Sequence, residues 1–174
     1  MTYDEDNRLL TINGQSVTHD LDGNMTSGPL TNGQFASFAY DARNRLVAVG
    51  GTGSIPSLGY AYDPAGNRIA LTNGGVVTRF VINPNAPLSQ VLMRIRPGVT
   101  NYYVYGLGLL YEVTETATGT NTAYYHYDYR GSTVALTDSN GTPTDRFEYS
   151  AYGALTYRTG SNDTPFQFNG RYGV

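Results

Sequence analysis

Three side chains near residue 130 could together support nucleophilic catalysis. That chemistry needs a nucleophile, a base and a group that orients the base, and Ser132, His126 and Asp128 are of these types. On a strand His126 and Asp128 would share one face about 7 Å apart, because each residue advances the chain by about 3.4 Å. Ser132, however, follows the turn-forming pair Arg130-Gly131. We therefore interpret Asp128 as a turn residue and expect no catalytic residues and no enzyme.

A second candidate is a cation site in the stretch Asp20-Leu21-Asp22-Gly23-Asn24. Clustered carboxylate and carbonyl oxygens suit Ca²⁺, but an EF-hand needs a bidentate acid at its twelfth position, which here is Thr31. The corresponding positions elsewhere in the chain are not acidic throughout. We expect a turn, with a weak calcium site as the alternative, and we predict no metal and no cofactor.

A third candidate is a group of eight tyrosines that recur with a period of two. Tyrosine combines a large apolar ring with a hydroxyl, so such a group could bind sugar rings. Tyrosines on paired strands also form cross-strand ladders that hold a sheet together, and we favour this interpretation. The two roles are compatible, so a glycan stays a possible partner. The residues are Tyr102, Tyr103, Tyr105, Tyr111, Tyr124, Tyr125, Tyr127 and Tyr129.

A short turn motif must position these side chains. It consists of an aromatic residue, an aspartate, two variable residues and then glycine or asparagine, and the aspartates of its first four copies are separated by steps of 16, 21 and 22 residues. Such regular spacing indicates an internal repeat. The predicted motif residues are Tyr3, Asp4, Asn7; His19, Asp20, Gly23; Tyr40, Asp41, Asn44; Tyr62, Asp63, Gly66; and Tyr127, Asp128, Gly131.

The chemistry of each copy is that of a tight turn between two strands. Aspartate can accept hydrogen bonds from backbone N–H groups further along, and glycine or asparagine tolerates a positive φ. A second type of turn is marked by Asn13-Gly14 and Asn73-Gly74-Gly75, which are strong hairpin signals. Alternation of the two types predicts an antiparallel meander in which the aspartate turns fall along one side.

The hydrophobic pattern predicts an all-β fold. No window sustains a helical period, whereas period-two alternation recurs, for example at Val91, Met93 and Ile95. Segments 26–34, 50–57 and 83–88 are rich in Thr, Gly, Ser, Pro or Asn and are predicted to be loops. The predicted strands are 8–12, 15–19, 36–40, 45–49, 58–62, 67–72, 76–82, 90–96, 101–105, 109–115, 122–127, 132–137, 143–149, 153–157 and 165–168.

Composition excludes several function classes. The 174 residues carry a net charge of −3, and the 11 basic residues are scattered, which argues against a nucleic-acid partner. Without cysteine there are no disulfides, zinc-thiolate sites or thiol catalysis. No run approaches the roughly 20 apolar residues of a membrane span. The acidic N-terminus is no signal peptide, so we expect any export signal to lie outside this sequence.

These motifs resemble those of a known family. The Tyr-Asp copies are similar to the YD repeats of Rhs proteins, and Tyr125 to Asp138 (YHYDYRGSTVALTD) resembles the opening of the Rhs repeat-associated core. Phe147 to Gly153 (FEYSAYG) and Pro165 to Tyr172 (PFQFNGRY) follow in that family's order. The resemblance covers residues 3–72 and 124–172. His19 stands in place of tyrosine in one copy, and Ser150 stands where aspartate is common.

The resemblance implies a β-sheet that spirals around a hollow interior, as in the shells of Rhs toxins, insecticidal toxin complexes and teneurins. In such shells the sheet is the wall and a C-terminal toxin domain is the cargo. We accordingly divide the chain into YD-repeat strands (1–75), connecting strands of the same sheet (76–123) and a truncated start of the core (124–174), forming one continuous unit. The family's self-cleavage segment and effector have no matching positions here.

The expected function follows from this resemblance. We predict a structural repeat protein, part of a shell or self-assembling fibre, located outside the bacterial cell or on its surface. Its open strand edges should pair with copies of itself or with the remainder of a longer Rhs-type chain. The alternative is a cell-surface adhesion module that binds carbohydrate through exposed tyrosines.

Overall fold

The structure, a computed structural model, describes residues 1–30, 32–51, 55 and 57–173. It contains two compact units, Met1–Val77 and Thr78–Val174. In the described residues all strand pairs are antiparallel, and there is one short 3-10 helix, Gly170–Tyr172. The predicted all-β antiparallel meander is therefore confirmed, while the three-part division of the chain stays a prediction.

The first unit contains two sheets built from strands in chain order. Strands β1 to β3 form a small sheet, and β4 to β9 each pair with the next strand along the chain. The bounds are β1 (Thr2–Tyr3), β2 (Leu9–Ile12), β3 (Gln15–Ser16), β4 (Thr18–His19), β5 (Met25–Pro29), β6 (Phe35–Tyr40), β7 (Leu46–Gly50), β8 (Leu58–Tyr62) and β9 (Arg68–Asn73).

The second unit is a meander in which every strand pairs with the next one. Its first strand begins just before the unit boundary. The bounds are β10 (Val76–Asn83), β11 (Gln90–Arg96), β12 (Val99–Tyr105), β13 (Leu109–Thr116), β14 (Gly119–Tyr127), β15 (Thr133–Thr137), β16 (Pro143–Tyr149) and β17 (Leu155–Thr159).

The hydrophobic core of the second unit lies on one face of its sheet. Alternate residues of each strand point to this face, so Tyr103 and Tyr125 are buried whereas Tyr102 and Tyr124 are exposed. One core residue, Phe166, comes from beyond the last strand. The cluster consists of Tyr103, Leu109, Ala123, Tyr125, Leu136, Phe147 and Phe166.

Three predicted segments are wrong. Segment 15–19 is two strands in different sheets, separated at Val17, whose amide donates to the carbonyl of Leu10 at 2.8 Å. Segment 26–34 was expected to be a loop, yet β5 occupies Met25–Pro29, since pairing on both sides outweighs its Thr-Ser-Gly composition. Segment 165–168 forms no strand.

The other predicted loops have different outcomes. Segment 83–88 is irregular apart from its first residue, as predicted. Of segment 50–57, residues 52–54 and 56 lie outside the described residues.

Candidate functional site

The Tyr-Asp copies share one backbone geometry. The aspartate N–H donates to the carbonyl of the fourth residue after it, and the aspartate carbonyl accepts from the N–H of the third. In the copy at Asp41, the first bond goes to the Arg45 carbonyl at 3.0 Å and the second comes from the Asn44 N–H at 2.9 Å. The third residue after the aspartate has a positive φ. Asparagine tolerates this conformation, so Asn44, with φ of 58°, can replace glycine there. Turns with this pattern begin at Asp4, Asp20, Asp41, Asp63, Asp128, Asp138 and Ser150, and the same two backbone hydrogen bonds are made at Leu30.

The aspartate side chain closes the same turn from inside. In the copy at Asp41 its Oδ1 accepts from the backbone N–H of Arg43 at 2.9 Å and of Arg45 at 3.1 Å. Ser150 fills this role in the last copy, where its Oγ accepts from the N–H of Ala154 at 3.1 Å. Serine in place of aspartate therefore preserves the turn without its charge.

In the first unit the fourth residue after the aspartate adds a side-chain contact. Arg45 Nε donates to Asp41 Oδ2 at 2.8 Å, and Asn67 Nδ2 donates to Asp63 Oδ2 at 2.9 Å. The Arg45 hydrogen bond is the largest cause that lowers the pKa of Asp41 to about 2. The pKa of Asp63 is also lowered, chiefly by the Asn67 amide. These carboxylates are thus held in their charged form.

The tyrosine before the turn has a geometry of its own. The strand register shifts between Ala61 and Tyr62, and likewise just before Tyr127 and Tyr149, which is the mark of a β-bulge. Tyr62 donates its hydroxyl to the carbonyl of Leu46 at 2.8 Å, and Tyr149 donates to that of Thr133 at 2.9 Å. The two acceptors, Leu46 and Thr133, each lie five residues after the aspartate of the previous turn on the same side of the sheet. The tyrosine therefore ties one turn to the previous one.

Neighbouring turns of the first unit are also joined through polar side chains. Asn24 Nδ2 donates to Asn44 Oδ1 at 2.9 Å, and Arg43 Nη1 donates to the carbonyl of Pro64 at 2.7 Å. The guanidinium of Arg45 lies 4.7 Å from the ring centroid of Tyr62. These contacts link three successive turns into a ladder along the edge of that sheet.

Within each unit the placement of the turns follows from the meander. Asp20, Asp41 and Asp63 connect β4 to β5, β6 to β7 and β8 to β9, so all three lie on one side of the first unit's larger sheet. In the second unit Asp128 and Ser150 share a side, but Asp138 connects β15 to β16 on the opposite side. The sequence reasoning missed Asp138 as a turn, although its spacing to Gly141 was the available signal.

The candidate catalytic residues have separate partners. His126 is exposed, and its Nε2 lies 3.0 Å from Thr137 Oγ1. Ser132 is fully buried, with its N–H donating to Asp128 Oδ1 at 2.8 Å and its Oγ accepting from the N–H of Asn169 at 3.2 Å. Asp128 closes its own turn, as interpreted from the sequence.

The candidate calcium residues form a turn as well. Asp20 Oδ1 accepts from the N–H groups of Asp22 and Asn24 at 3.0 and 2.8 Å, and Asn24 Nδ2 donates to Asp20 Oδ2 at 3.0 Å. Thr31 lies outside the described residues. Among those that are described, no group of three acidic or histidine side chains could hold a metal ion.

The tyrosine group forms cross-strand contacts. Tyr111 and Tyr124 are direct partners on β13 and β14 with ring centroids 5.3 Å apart. Tyr103 and Tyr125 are buried, whereas Tyr102 is more exposed and donates to Glu115 at 2.9 Å. The predicted cross-strand contact is thus present between Tyr111 and Tyr124, whereas the buried Tyr103 packs against Phe166 and Tyr125 stacks on Tyr127 of its own strand.

A segment after the last strand crosses the core face of the second unit. We call residues 160–173 the strap. Its anchor is Phe166, which is 4% exposed and packs edge-on against Tyr103 with ring centroids 4.8 Å apart. Thr133 fixes the strap's backbone, because its N–H donates to the carbonyl of Gln167 at 2.9 Å and its Oγ1 donates to that of Phe166 at 2.7 Å.

A buried polar cluster lies beneath the strap. Glu112, 2% exposed, accepts from the Tyr125 hydroxyl at 2.9 Å, and that hydroxyl lies 2.6 Å from Thr164 Oγ1 of the strap. Arg94 contacts both the carbonyl and the carboxylate of Asp163. Burial raises the pKa of Glu112. Sequence reasoning missed this cluster, since charged residues on a strand normally indicate a solvated face.

Comparison with known proteins identifies the family. The family model described as Teneurin YD-shell matches residues 1–172. The chain belongs to the YD-shell family. This YD-shell chain is also similar to three curated bacterial proteins: the tRNA3(Ser)-specific nuclease WapA of Bacillus spizizenii (33% identity over 77% of the chain), the tRNA nuclease WapA of Bacillus subtilis strain 168 (32% over 76%) and double-stranded DNA deaminase toxin A of Burkholderia cenocepacia (31% over 79%).

The matched relatives are far longer than this YD-shell chain, which spans 6%, 5% and 9% of their lengths, respectively. Solved structures agree on the fold. A TcdB2-TccC3-Cdc42 structure superimposes with a TM-score of 0.57 at 15% identity, covering 96% of this chain and 11% of that one. The Photorhabdus luminescens Tc holotoxin pore gives a TM-score of 0.53 at 13% identity, with the same coverage. The suspected Rhs and YD-repeat resemblance is confirmed.

Proposed function

We propose that this chain is a stretch of Rhs-type shell wall within a longer bacterial protein, where it encloses, shields or displays other components. The observation that carries the proposal is the repeated Tyr-Asp turn. Contacts of Asn24, Arg43 and Tyr62 link three successive turns of the first unit. Such nearest-neighbour linkage suits a wall that grows by repetition. In this proposal the motif residues hold strands in register.

We further propose that the segment itself is not catalytic. The nuclease and deaminase names belong to relatives of which this chain matches less than a tenth. The separate partners of His126 and Ser132 support the proposal. The turn carboxylates give further support, because each of them, such as that of Asp41, accepts hydrogen bonds within its own turn.

The proposed location is outside the bacterial cell or on its surface, as for the toxin-related proteins that the chain resembles. In the part of the chain that the structure describes, no helix has the length and apolar character needed to cross a membrane. The matched family and relatives give no support to the adhesion alternative, so carbohydrate binding is not part of the proposal.

Open strand edges provide the test. Within the described part of the second unit, β17 pairs with β16 and ends the meander, and all five of its residues are exposed. An edge of this kind recruits further strands. We expect the chain to form oligomers or fibres at micromolar concentration, detected by light scattering on dilution and by electron microscopy. A stable globular monomer at that concentration would overturn the self-association.

A matched pair of variants locates the association. Tyr157→Lys places a charge at the centre of β17, where Tyr157 is 48% exposed, and should reduce association because charged edge residues oppose strand pairing. Tyr152→Lys, in a turn where the side chain is 98% exposed, adds the same charge away from the edge and should leave association unchanged. Equal effects of the two variants would exclude β17 as the contact.

A further inference from the structure

Tyrosine hydroxyls of the second unit bind backbone carbonyls in a repeated arrangement. A tyrosine that ends one strand donates its hydroxyl to a carbonyl near the start of the neighbouring strand. We call each such carbonyl a tyrosine slot, and one slot lies on each of β11, β13 and β15. The donor and acceptor pairs are Tyr105 and Val91 at 2.7 Å, Tyr127 and Leu109 at 2.7 Å, and Tyr149 and Thr133 at 2.9 Å.

The strands at these slots share one register. The residue two positions after the acceptor pairs with the residue three positions before the tyrosine, as Tyr111 pairs with Tyr124. The same relation holds for the slots on β11 and β15. It also holds in the first unit, where Tyr62 donates to the carbonyl of Leu46 at 2.8 Å. A strand that pairs in this register therefore places its last tyrosine beside the slot.

Leu155, at the start of β17, has the position of a further slot. Leu109 and Thr133 each pair with a tyrosine of the preceding strand, directly after a register shift. Each of them also accepts a hydroxyl from the following strand. Leu155 pairs with Tyr149 in the same way, again after a register shift. The carbonyl of Leu155 therefore corresponds to the next acceptor in the series.

The outer edge of β17 is open to a further strand. In the part of the second unit that the structure describes, β17 pairs with β16 alone, and all five of its residues are exposed. The strap leaves β17 towards β16, because the N–H of Asn162 donates to the buried carboxylate of Asp145 at 3.0 Å. Open strand edges bind extended segments through main-chain hydrogen bonds.

Tyr157 gives this edge a side-chain preference. It lies two positions after Leu155, as Tyr111 lies two positions after Leu109. Tyr111 packs against Tyr124 of the following strand, with ring centroids 5.3 Å apart. Because Tyr157 is 48% exposed, its ring can make the same cross-strand contact. The matching strand therefore ends with two tyrosines three positions apart, as β14 does.

We propose that the open edge of β17 binds one kind of partner, a strand of a further Tyr-Asp repeat that ends in Tyr-x-x-Tyr. Its last tyrosine donates to the carbonyl of Leu155, and its first tyrosine packs against Tyr157. This inference rests on the proposed shell wall, in which β17 is an edge, and it adds the chemistry by which the next strand is recognised. Main-chain hydrogen bonds supply the affinity, and the two tyrosines set the register.

A fluorescent peptide of residues 119–131, which contain β14 and its turn, is the probe. Anisotropy follows its titration with the full-length chain. Replacing Tyr127 of the peptide by phenylalanine should weaken binding about three- to tenfold, the loss expected for one hydrogen bond. Replacing Tyr124 by alanine should weaken binding about two- to fivefold, because the ring contact is lost. The matched control replaces Tyr129, which lies beyond the strand, by phenylalanine and should bind like the parent peptide.

Variants of the full-length chain locate the bound peptide. Tyr157→Lys should weaken binding about tenfold, because a charge on an edge strand opposes pairing and the ring contact is lost. Tyr152→Lys adds the same charge in a turn, where the side chain is 98% exposed, and should bind like the parent. Amide hydrogen exchange in β17 should slow when the peptide is added, because its outer edge becomes paired.

The outcomes separate this site from self-association of the chain. Weaker binding of the Tyr127 and Tyr124 peptide variants supports the site, even where light scattering finds the chain alone to be monomeric. Equal binding of the parent peptide and either variant overturns the site. So does an absence of binding at the highest soluble concentration of the chain. Neither of these results changes the light-scattering test of the proposed shell wall.

Discussion

The hydroxyl of Tyr125 donates to Glu112 Oε2 at 2.9 Å and lies 2.6 Å from Thr164 Oγ1, so one buried phenol joins two strands to the strap. Both Tyr125 and Glu112 are more than nine-tenths buried. A buried carboxylate needs such a donor, because water cannot reach it.

Removing this hydroxyl should destabilise the second unit. We expect Tyr125→Phe to lower the free energy of unfolding by about 1–3 kcal/mol, because Glu112 and Thr164 lose a partner in a buried site. Urea denaturation followed by circular dichroism measures the change. The control is Tyr102→Phe, which removes a more exposed hydroxyl 2.9 Å from Glu115 and should stay within about 0.5 kcal/mol of the parent. An equal loss of stability in the two variants would contradict the stabilising role of the buried Tyr125 hydroxyl.

The charge of Glu112 should appear in the pH dependence of stability. Burial raises its pKa in the folded protein above the value of about 4.3 in the unfolded chain. As the pH rises, the unfolded chain loses the Glu112 proton at a lower pH than the folded protein does. The contribution of this proton to the free energy of unfolding is therefore fully present below about pH 4 and is lost as the pH rises through the folded pKa. We expect Glu112→Gln, which has no proton to release, to gain stability relative to the parent as the pH rises above about 4. Parallel curves would contradict the raised pKa.

The contribution of Asp41 to stability should depend on pH in the opposite direction to that of Glu112. Its pKa is lowered to about 2, first by the Arg45 side chain, from about 3.9 in an unfolded chain. The resulting stability is present above about pH 4 and is lost as the pH falls towards 2. We expect Asp41→Asn to lower the urea midpoint at pH 7 and to match the parent near pH 2. The control is Asp22→Asn, which removes one negative charge from the turn that begins at Asp20 and should lack this convergence.

The sequence predicted the turns well because their chemistry is local. An aspartate, a residue that tolerates positive φ three positions later and a preceding aromatic lie within five residues, so the pattern of Tyr40, Asp41 and Asn44 can be read directly. The strands between turns followed from period-two alternation, for example in β12 and β14. Pairing on both sides made β5 a strand in spite of its Thr-Ser-Gly composition, and that information is not local.

The strap could not be predicted for a related reason. Phe166 and Phe168 alternate as in a strand, and this pattern led to the wrong assignment of 165–168. What decides its path is contact with residues more than thirty positions away, such as Thr133 and Tyr125. The burial of Arg94 and Glu112 depends on the same crossing. Long-range packing therefore set both the path of the strap and the polar cluster under it.

Gly160, at the start of the strap, and Gly141 have nearly the same φ but different surroundings. Substituting each of them can therefore distinguish backbone strain from steric crowding. Gly160 has φ of 77° and Gly141 has φ of 79°. A side chain at Gly141 would meet no atom within 4 Å, whereas a Cβ at Gly160 would collide with the carbonyl of Thr144 and with the buried carboxylate of Asp145. The two sites therefore differ in their surroundings and not in φ.

We expect Gly141→Ala to cost about 1–2 kcal/mol, because alanine is strained at positive φ. Gly160→Ala should cost that amount and roughly 1–3 kcal/mol more, because the strap must move away from Thr144 and Asp145. Denaturation of both variants gives the difference, and the mobility of Phe166, followed by its NMR ring signals, tests whether the strap is displaced. Similar costs at the two positions would show that the corner at Gly160 relaxes freely and does not hold the strap in place.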